Sequence, residues 1–207
     1  MAKASKPKQS VSANNPCPFL RALVAEGRLA DDTEPLTKVA AVIAETARTG
    51  EGSPALPAAA IYGIAAIANG LGPLSLLRAQ RSGLRLNALR GGPLDKKGVG
   101  SGILDHKGEV DRRALKRLGT FAREKAAANG SREQGLALPE LRAFMDANFE
   151  RAAGRRRRID RALMVGEWPV LLKVIGKDGP DGRYLSLADV EVLFTKRQLP
   201  NRMSRPR

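Results

Sequence analysis

Asp111-Arg112-Arg113-Ala114-Leu115-Lys116-Arg117-Leu118-Gly119-Thr120-Phe121-Ala122, running on to Asn129-Gly130, is the stretch on which the fold class turns. Aspartate favours the N-cap, where its carboxylate accepts hydrogen bonds from backbone N–H groups left over at a helix start. Leu115, Leu118, Phe121 and Ala122 follow at the spacing that lines one face of a helix, and Asn-Gly is a helix stop. The spacing predicts a helix from Asp111 to the neighbourhood of Asn129.

The segments on either side read the same way. Leu138-Pro139 opens a helix with Leu141, Phe144, Met145, Asn148 and Phe149 on one face, and the run Arg155 to Arg158 follows Gly154. Ile159, Leu163, Met164, Trp168, Leu171, Leu172, Val174 and Ile175 form a largely apolar segment that Gly176 stops. Lys177-Asp178-Gly179-Pro180-Asp181-Gly182 is a turn by composition. Ser186, with Asp189 three residues on, approximates a capping box for a last helix to about Arg197, ended by Pro200. Upstream, Gly91 to Gly102 is a glycine-rich loop that fits neither the P-loop nor the dinucleotide spacing. Positions 52–77 carry no charge, a length that raises a membrane-spanning helix. Pro54, Pro57, Gly63, Gly70, Gly72 and Pro73 interrupt it and alanine dominates its middle, so a buried helix is preferred. Leu36, Val39, Ala40, Ile43 and Ala47 mark another helix behind Asp31-Asp32-Thr33-Glu34-Pro35. With no strand of convincing length and no internal repeat, the expected fold is all-α, a single-domain helical bundle without a substantial sheet.

Composition narrows the function. The chain has 207 residues and a formal net charge of +15, with one cysteine and one histidine. A lone cysteine excludes an intrachain disulfide, a cysteine zinc cluster and a C-x-x-C redox motif, and fits a reducing compartment. Met1 to Ala13 holds lysines, no acid and no apolar core, so it reads as a disordered basic lead-in with no export signal, and the expected location is cytoplasmic without a membrane span. Basic residues are spread along the chain and no nucleic-acid reading motif appears. A solvated basic face is favoured over specific nucleic-acid recognition.

Asn15-Pro16-Cys17-Pro18-Phe19-Leu20-Arg21-Ala22-Leu23 surrounds the cysteine. Pro18 belongs at the first helical position, which leaves Cys17 as N-cap. The N–H groups of Phe19 and Leu20 and the positive end of the helix dipole favour a thiolate there. Such a sulfur suits metal ligation or nucleophilic attack; the alternative is a small buried residue that caps a helix. His106 completes a nucleophile–base pair, stands across a cofactor, or has no special role.

The stretch Asn15 to Leu23 with Gly27-Arg28-Leu29 resembles the Pro-Cys-Pro signature of the heme-thiolate haloperoxidase and peroxygenase family, short-chain type. Leu104-Asp105-His106 sits where those proteins carry Glu-His-Asp, and Glu191 to Pro200 resembles their closing pattern. The resemblance covers most of residues 15–202. It implies a helical bundle around heme b, with a basic tail over 1–14, a heme-thiolate peroxidase-like domain over 15–202 and a basic tail over 203–207. Cys17 would be the axial ligand of the heme iron, and His106 the distal acid–base group for hydrogen peroxide in the oxidation or oxygenation of a small organic substrate. Counting back from Gly166-Glu167 points to Glu150 as the glutamate partner. Helical geometry turns Glu150 away from the apolar stripe, which leaves Glu167, or no glutamate, as alternatives. Asp105 and Glu109 are candidate ligands for a magnesium or manganese ion beside a heme propionate. Lys107 replaces the family's aspartate after the histidine. Two rival readings remain: a noncatalytic heme-binding or sensing protein, and a basic helical protein that binds polyanions through Arg155 to Arg158 and the tails.

Overall fold

The computed structural model describes residues 10–49, 83–90, 99–164, 166–203. The uncharged stretch 52–77, most of the glycine-rich loop and the outer parts of both basic tails lie outside them.

Helix α1 (Pro18–Ala25) starts at Cys17, which is its N-cap with extended backbone, and Pro18 opens the first turn. It buries Phe19, Ala22, Leu23 and Val24. Gly27, at φ 69°, reverses the chain, and the amides of Gly27 and Arg28 donate to the carbonyls of Val24 and Leu23 at 2.9 Å. Strand β1 (Thr33–Glu34) pairs antiparallel with β2 (Leu84–Arg85). Helix α2 (Leu36–Thr49) buries Leu36, Val39, Ala40 and Ala47, as the spacing predicts.

The fold is not all-α. Helix α3 (Arg112–Gly119) is capped by Asp111, whose carboxylate accepts from the amides of Arg113 and Ala114 at 2.8 and 3.1 Å, but it ends ten residues before the predicted stop. Strands β3 (Arg123–Ala126) and β4 (Arg132–Ala137) follow as an antiparallel hairpin. Asn129-Gly130 is the tip of its turn: Gly130 has φ 81°, and Asn129 Oδ1 accepts from the amide and hydroxyl of Ser131 at 3.0 and 2.7 Å. Asn-Gly is equally a helix stop and a hairpin turn. Phe121 and Ala122 do face the core, which mimics a continuing helical stripe, while Arg123-Glu124-Lys125 carries no apolar alternation to betray a strand.

The same correction applies further on. Helix α4 (Leu138–Arg151) buries Leu141, Phe144, Met145 and Asn148 on the predicted face. Glu140 Oε2 accepts from the amide of Ala137 at 2.9 Å, closing its first turn. Short helices α5 (Asp160–Met164) and α6 (Trp168–Ile175) come next. The compositional turn around Pro180-Asp181 joins two strands, β5 (Lys177–Gly179) and β6 (Gly182–Ser186), and α7 (Leu187–Lys196) follows at once. Ser186 precedes α7, but its hydroxyl donates to Glu133 at 2.7 Å and Asp189 binds Arg202, so the expected capping box does not form.

The four strands make one antiparallel sheet in the order β3-β4-β6-β5. Leu136 faces Leu185 at its centre, with Gly135 opposite Ser186 and Ala137 opposite Tyr184. Each half is a hairpin running directly into a helix, and Leu136, Leu138, Glu140, Leu141 and Phe144 stand at the places of Leu185, Leu187, Asp189, Val190 and Leu193. The sequence reading found no such repeat. Between the halves runs an aromatic chain: Phe121 to Phe144 at 5.5 Å, Phe144 to Trp168 at 5.6 Å, Trp168 to Phe194 at 6.2 Å. Helix α1 packs on α7 and α2 on α6, which brings the Cys17 end of α1 onto this core. No described helix is long and apolar enough to cross a membrane.

Candidate functional site

Cys17 is half-buried at the start of α1 and touches the hydrophobic core. Its amide donates to Asn15 Oδ1 at 3.1 Å, an Asx turn that presents the residue at the helix mouth. The sulfur makes no capping bond to the helix amides, although the cap position itself is as predicted.

One turn along the helix stands Arg21, buried to 2% exposure among Phe19, Ala22 and Leu23. Its Nη1 donates to the carbonyls of Ser12 at 2.7 Å and Asn15 at 3.1 Å, and its Nη2 to that of Gly108 at 3.0 Å. Burial lowers the proton affinity of its guanidinium, and the positive charges of Arg197 and Arg90 add to this; Asp31 and Cys17 act in the opposite sense.

The carbonyl of Gly108 belongs to the turn that carries His106. Leu104 bridges Val110, and inside that bridge Asp105 Oδ1 accepts from the amides of Lys107 and Glu109, both at 2.8 Å. Those bonds, that to Glu109 first, hold the Asp105 carboxyl below the usual carboxylate range. Gly108 has φ 72°, and a Cβ there would come within 3.0 Å of Ala13 Cα and Arg21 Nη1. Only glycine lets the turn lie this close. Arg90 grips it from the other side: Nε donates to Ala13 O at 2.7 Å and Nη2 to Asp105 O.

The Cys17 segment and the His106 turn, far apart in sequence, are therefore joined through two arginines. His106 itself is exposed at the tip of the turn, as are Lys107 and Glu109. Glu150 is not part of this assembly; it lies exposed on the outer face of α4, paired with Arg156 at 3.0 Å. Glu167 precedes α6 and approaches the chain at Gly100. Among the described residues no three His, Cys, Asp or Glu side chains converge as a metal cluster. Ser12 and Asn14, assigned by sequence to a disordered tail, are held by Asp31, Arg21 and Arg90. Met203, at the predicted start of the other tail, is buried and its carbonyl accepts from Thr49 at 3.2 Å.

Sequence reasoning missed Arg21, Arg90 and Asn15. The available signal was the position of Arg21, a charged residue between the apolar neighbours of a short buried helix, where only a partnered charge is tolerated. No family model, no curated protein and no solved structure matches the chain.

Proposed function

We propose that the protein is a heme-thiolate oxidoreductase that uses hydrogen peroxide to oxidise or oxygenate small organic molecules, with Cys17 as the axial ligand. The observation that carries the reading is the half-buried Cys17 at the mouth of α1, in a segment whose Asn15 carbonyl Arg21 ties to the carbonyl of Gly108 in the turn that bears His106. The thiolate side fits the group. A soft sulfur beside apolar Phe19 and Leu20 is a ligand for iron, and two buried donors next to it, Asn15 Nδ2 and Arg21 Nε, have no hydrogen-bond partner among the described residues.

When bound, the heme supplies the oxidising chemistry of peroxide. The chain's own contribution begins with the N-terminus of α1 and Arg21, which hold negative charge on the sulfur. With heme bound, His106 on its exposed turn would be the residue to carry a proton from one peroxide oxygen to the other. Glu150 is held by Arg156 on the outside of α4, so the reading gives the proton work to His106 alone. Asp105 Oδ1 is committed to closing its turn, and no second metal is assigned to it.

The test is the visible spectrum of the chain expressed with heme supplementation, reduced and treated with carbon monoxide. A Soret band displaced well to the red, and absent in Cys17→His, is the expected result. A histidine-type band in the parent protein, or no bound heme, overturns the reading. Peroxide turnover with phenolic and thioether substrates then separates an enzyme from a heme-binding sensor: His106→Ala abolishes it in the first case, and there is none to abolish in the second.

A further inference from the structure

We propose that the loop Arg155 to Ile159 is a docking surface for an anionic phospholipid bilayer, with Arg155 and Arg158 on lipid phosphates and Ile159 set into the acyl boundary. The loop joins α4 to α5. Gly154, at φ 82°, turns the chain off the end of α4, and the amides of Arg155 and Arg156 donate to Ala152 O at 3.0 and 3.1 Å. Two of the loop's four arginines build it from inside. Arg157 closes on the fully buried Asp160: its amide donates to Oδ2 at 2.8 Å, and its Nε and Nη2 donate to Oδ1 at 2.9 and 2.6 Å. Arg156 Nη1 donates to Phe149 O and Glu150 Oε1, both at 3.0 Å.

The other two arginines face outward. Arg155 and Arg158 are exposed, and neither makes an ion pair or a side-chain hydrogen bond with a described residue. The acids of the surrounding sequence are already taken, Glu150 by Arg156, Asp160 by Arg157 and Asp146 by Arg161. From Asp146 to Arg161 six arginines stand against three acids, so the loop holds a positive surplus in a fixed place. Ile159 follows Arg158 directly and is 58% exposed, the large apolar side chain left in solvent among the described residues. A scattered exposed isoleucine is ordinary. One beside two unpaired guanidinium groups on a braced loop matches the headgroup region of a bilayer, where cations meet phosphate and an aliphatic chain gains by entering the hydrocarbon below. Nucleic acid fits less well. Its bases stack on aromatic rings, and the ring beside the loop, Phe149, already carries the guanidinium groups of Arg156 and Arg161, 4.2 and 5.2 Å from its centroid. One apolar anchor and two bases give a reversible attachment, which the chain's net charge of +15 steers towards an anionic surface. The surface involves neither Cys17 nor His106 and is independent of the heme reading.

Co-sedimentation of the full chain with sucrose-loaded vesicles tests the proposal. On phosphatidylcholine with about one third phosphatidylserine, saturable binding is expected that fades as salt is raised, with little on phosphatidylcholine alone. Arg155→Ala and Arg158→Ala weaken it by about fivefold each and Ile159→Ser by about tenfold, while Ile159→Leu binds like the parent. Arg142→Ala, which removes an exposed arginine nearer the start of α4, leaves binding within about twofold. All these variants alter exposed side chains, and an unchanged thermal melt shows that each is folded. A short single-stranded oligonucleotide is the competing probe. Absence of vesicle binding, an equal loss in Arg142→Ala, undiminished binding by Ile159→Ser, or an oligonucleotide that binds through Arg155 and Arg158 more tightly than the vesicles do, each overturns it.

Discussion

Arg21 shows how one side chain can organise a site without reacting. Its three backbone acceptors come from two segments, so truncation leaves the carbonyls of Asn15 and Gly108 without this donor and Ser12 O with only the 3.3 Å bond from the Asn15 amide. Arg21→Ala is expected to lower the unfolding free energy by about 3 kcal/mol, read as a drop in the urea midpoint. His106→Ala, at an exposed turn tip, changes the unfolding free energy by no more than about 0.5 kcal/mol, so on the proposed reading a loss of peroxide turnover in it is a chemical effect. At this scale the sequence was partly readable. Pro18 after Cys17 disclosed the helix cap, because proline suits only the start of a helix. Arg21 did not disclose itself, because an arginine is usually solvated and its backbone acceptors leave no side-chain pattern to match.

The two hairpins carry the chief lesson about elements. Their apolar content is small, and their order comes from side chains that bond across strands. Glu133 on β4 receives Tyr184 Oη and Ser186 Oγ, both at 2.7 Å, and the ammonium of Lys177. Burial alone would raise the carboxyl, but the bonds from Lys177, Tyr184 and Ser186 outweigh it and hold Glu133 below its ordinary value of 4.5. The unfolded carboxyl takes its proton at higher pH than the folded one. The stabilisation is therefore complete above about pH 4.5 and is lost as pH falls through the lower folded value. Thermal melts from pH 6 to 3 should show a steep loss of Tm that Glu133→Gln flattens, because the variant starts without the charged bonds. Helices α1, α2 and α4 were legible because each has one apolar face. The strands were not, because β3 is mostly charged and solvent-facing, and β5 is three residues long with two of them polar. Their signals lie in pairing partners far along the chain.

At the scale of the molecule, the aromatic chain ties α4 of one hairpin–helix unit to α7 of the other through Trp168, which is 3% exposed. Trp168 is the only tryptophan, so its emission reports on the join. Fluorescence and far-ultraviolet circular dichroism are expected to give coincident urea transitions, with the two units unfolding together. A fluorescence change that precedes the loss of ellipticity would mean that the units separate first. Cooperative opening also governs the chemical ageing of the chain. Asn-Gly is the dipeptide most prone to deamidation, a reaction that needs the glycine nitrogen to swing onto the asparagine side chain. In the β3–β4 turn the Gly130 amide is bonded to Ala127 O at 2.9 Å and the Asn129 side chain is held by Ser131. The folded turn withholds both partners, so the rate at which Asn129 converts to aspartate counts how often the hairpin opens.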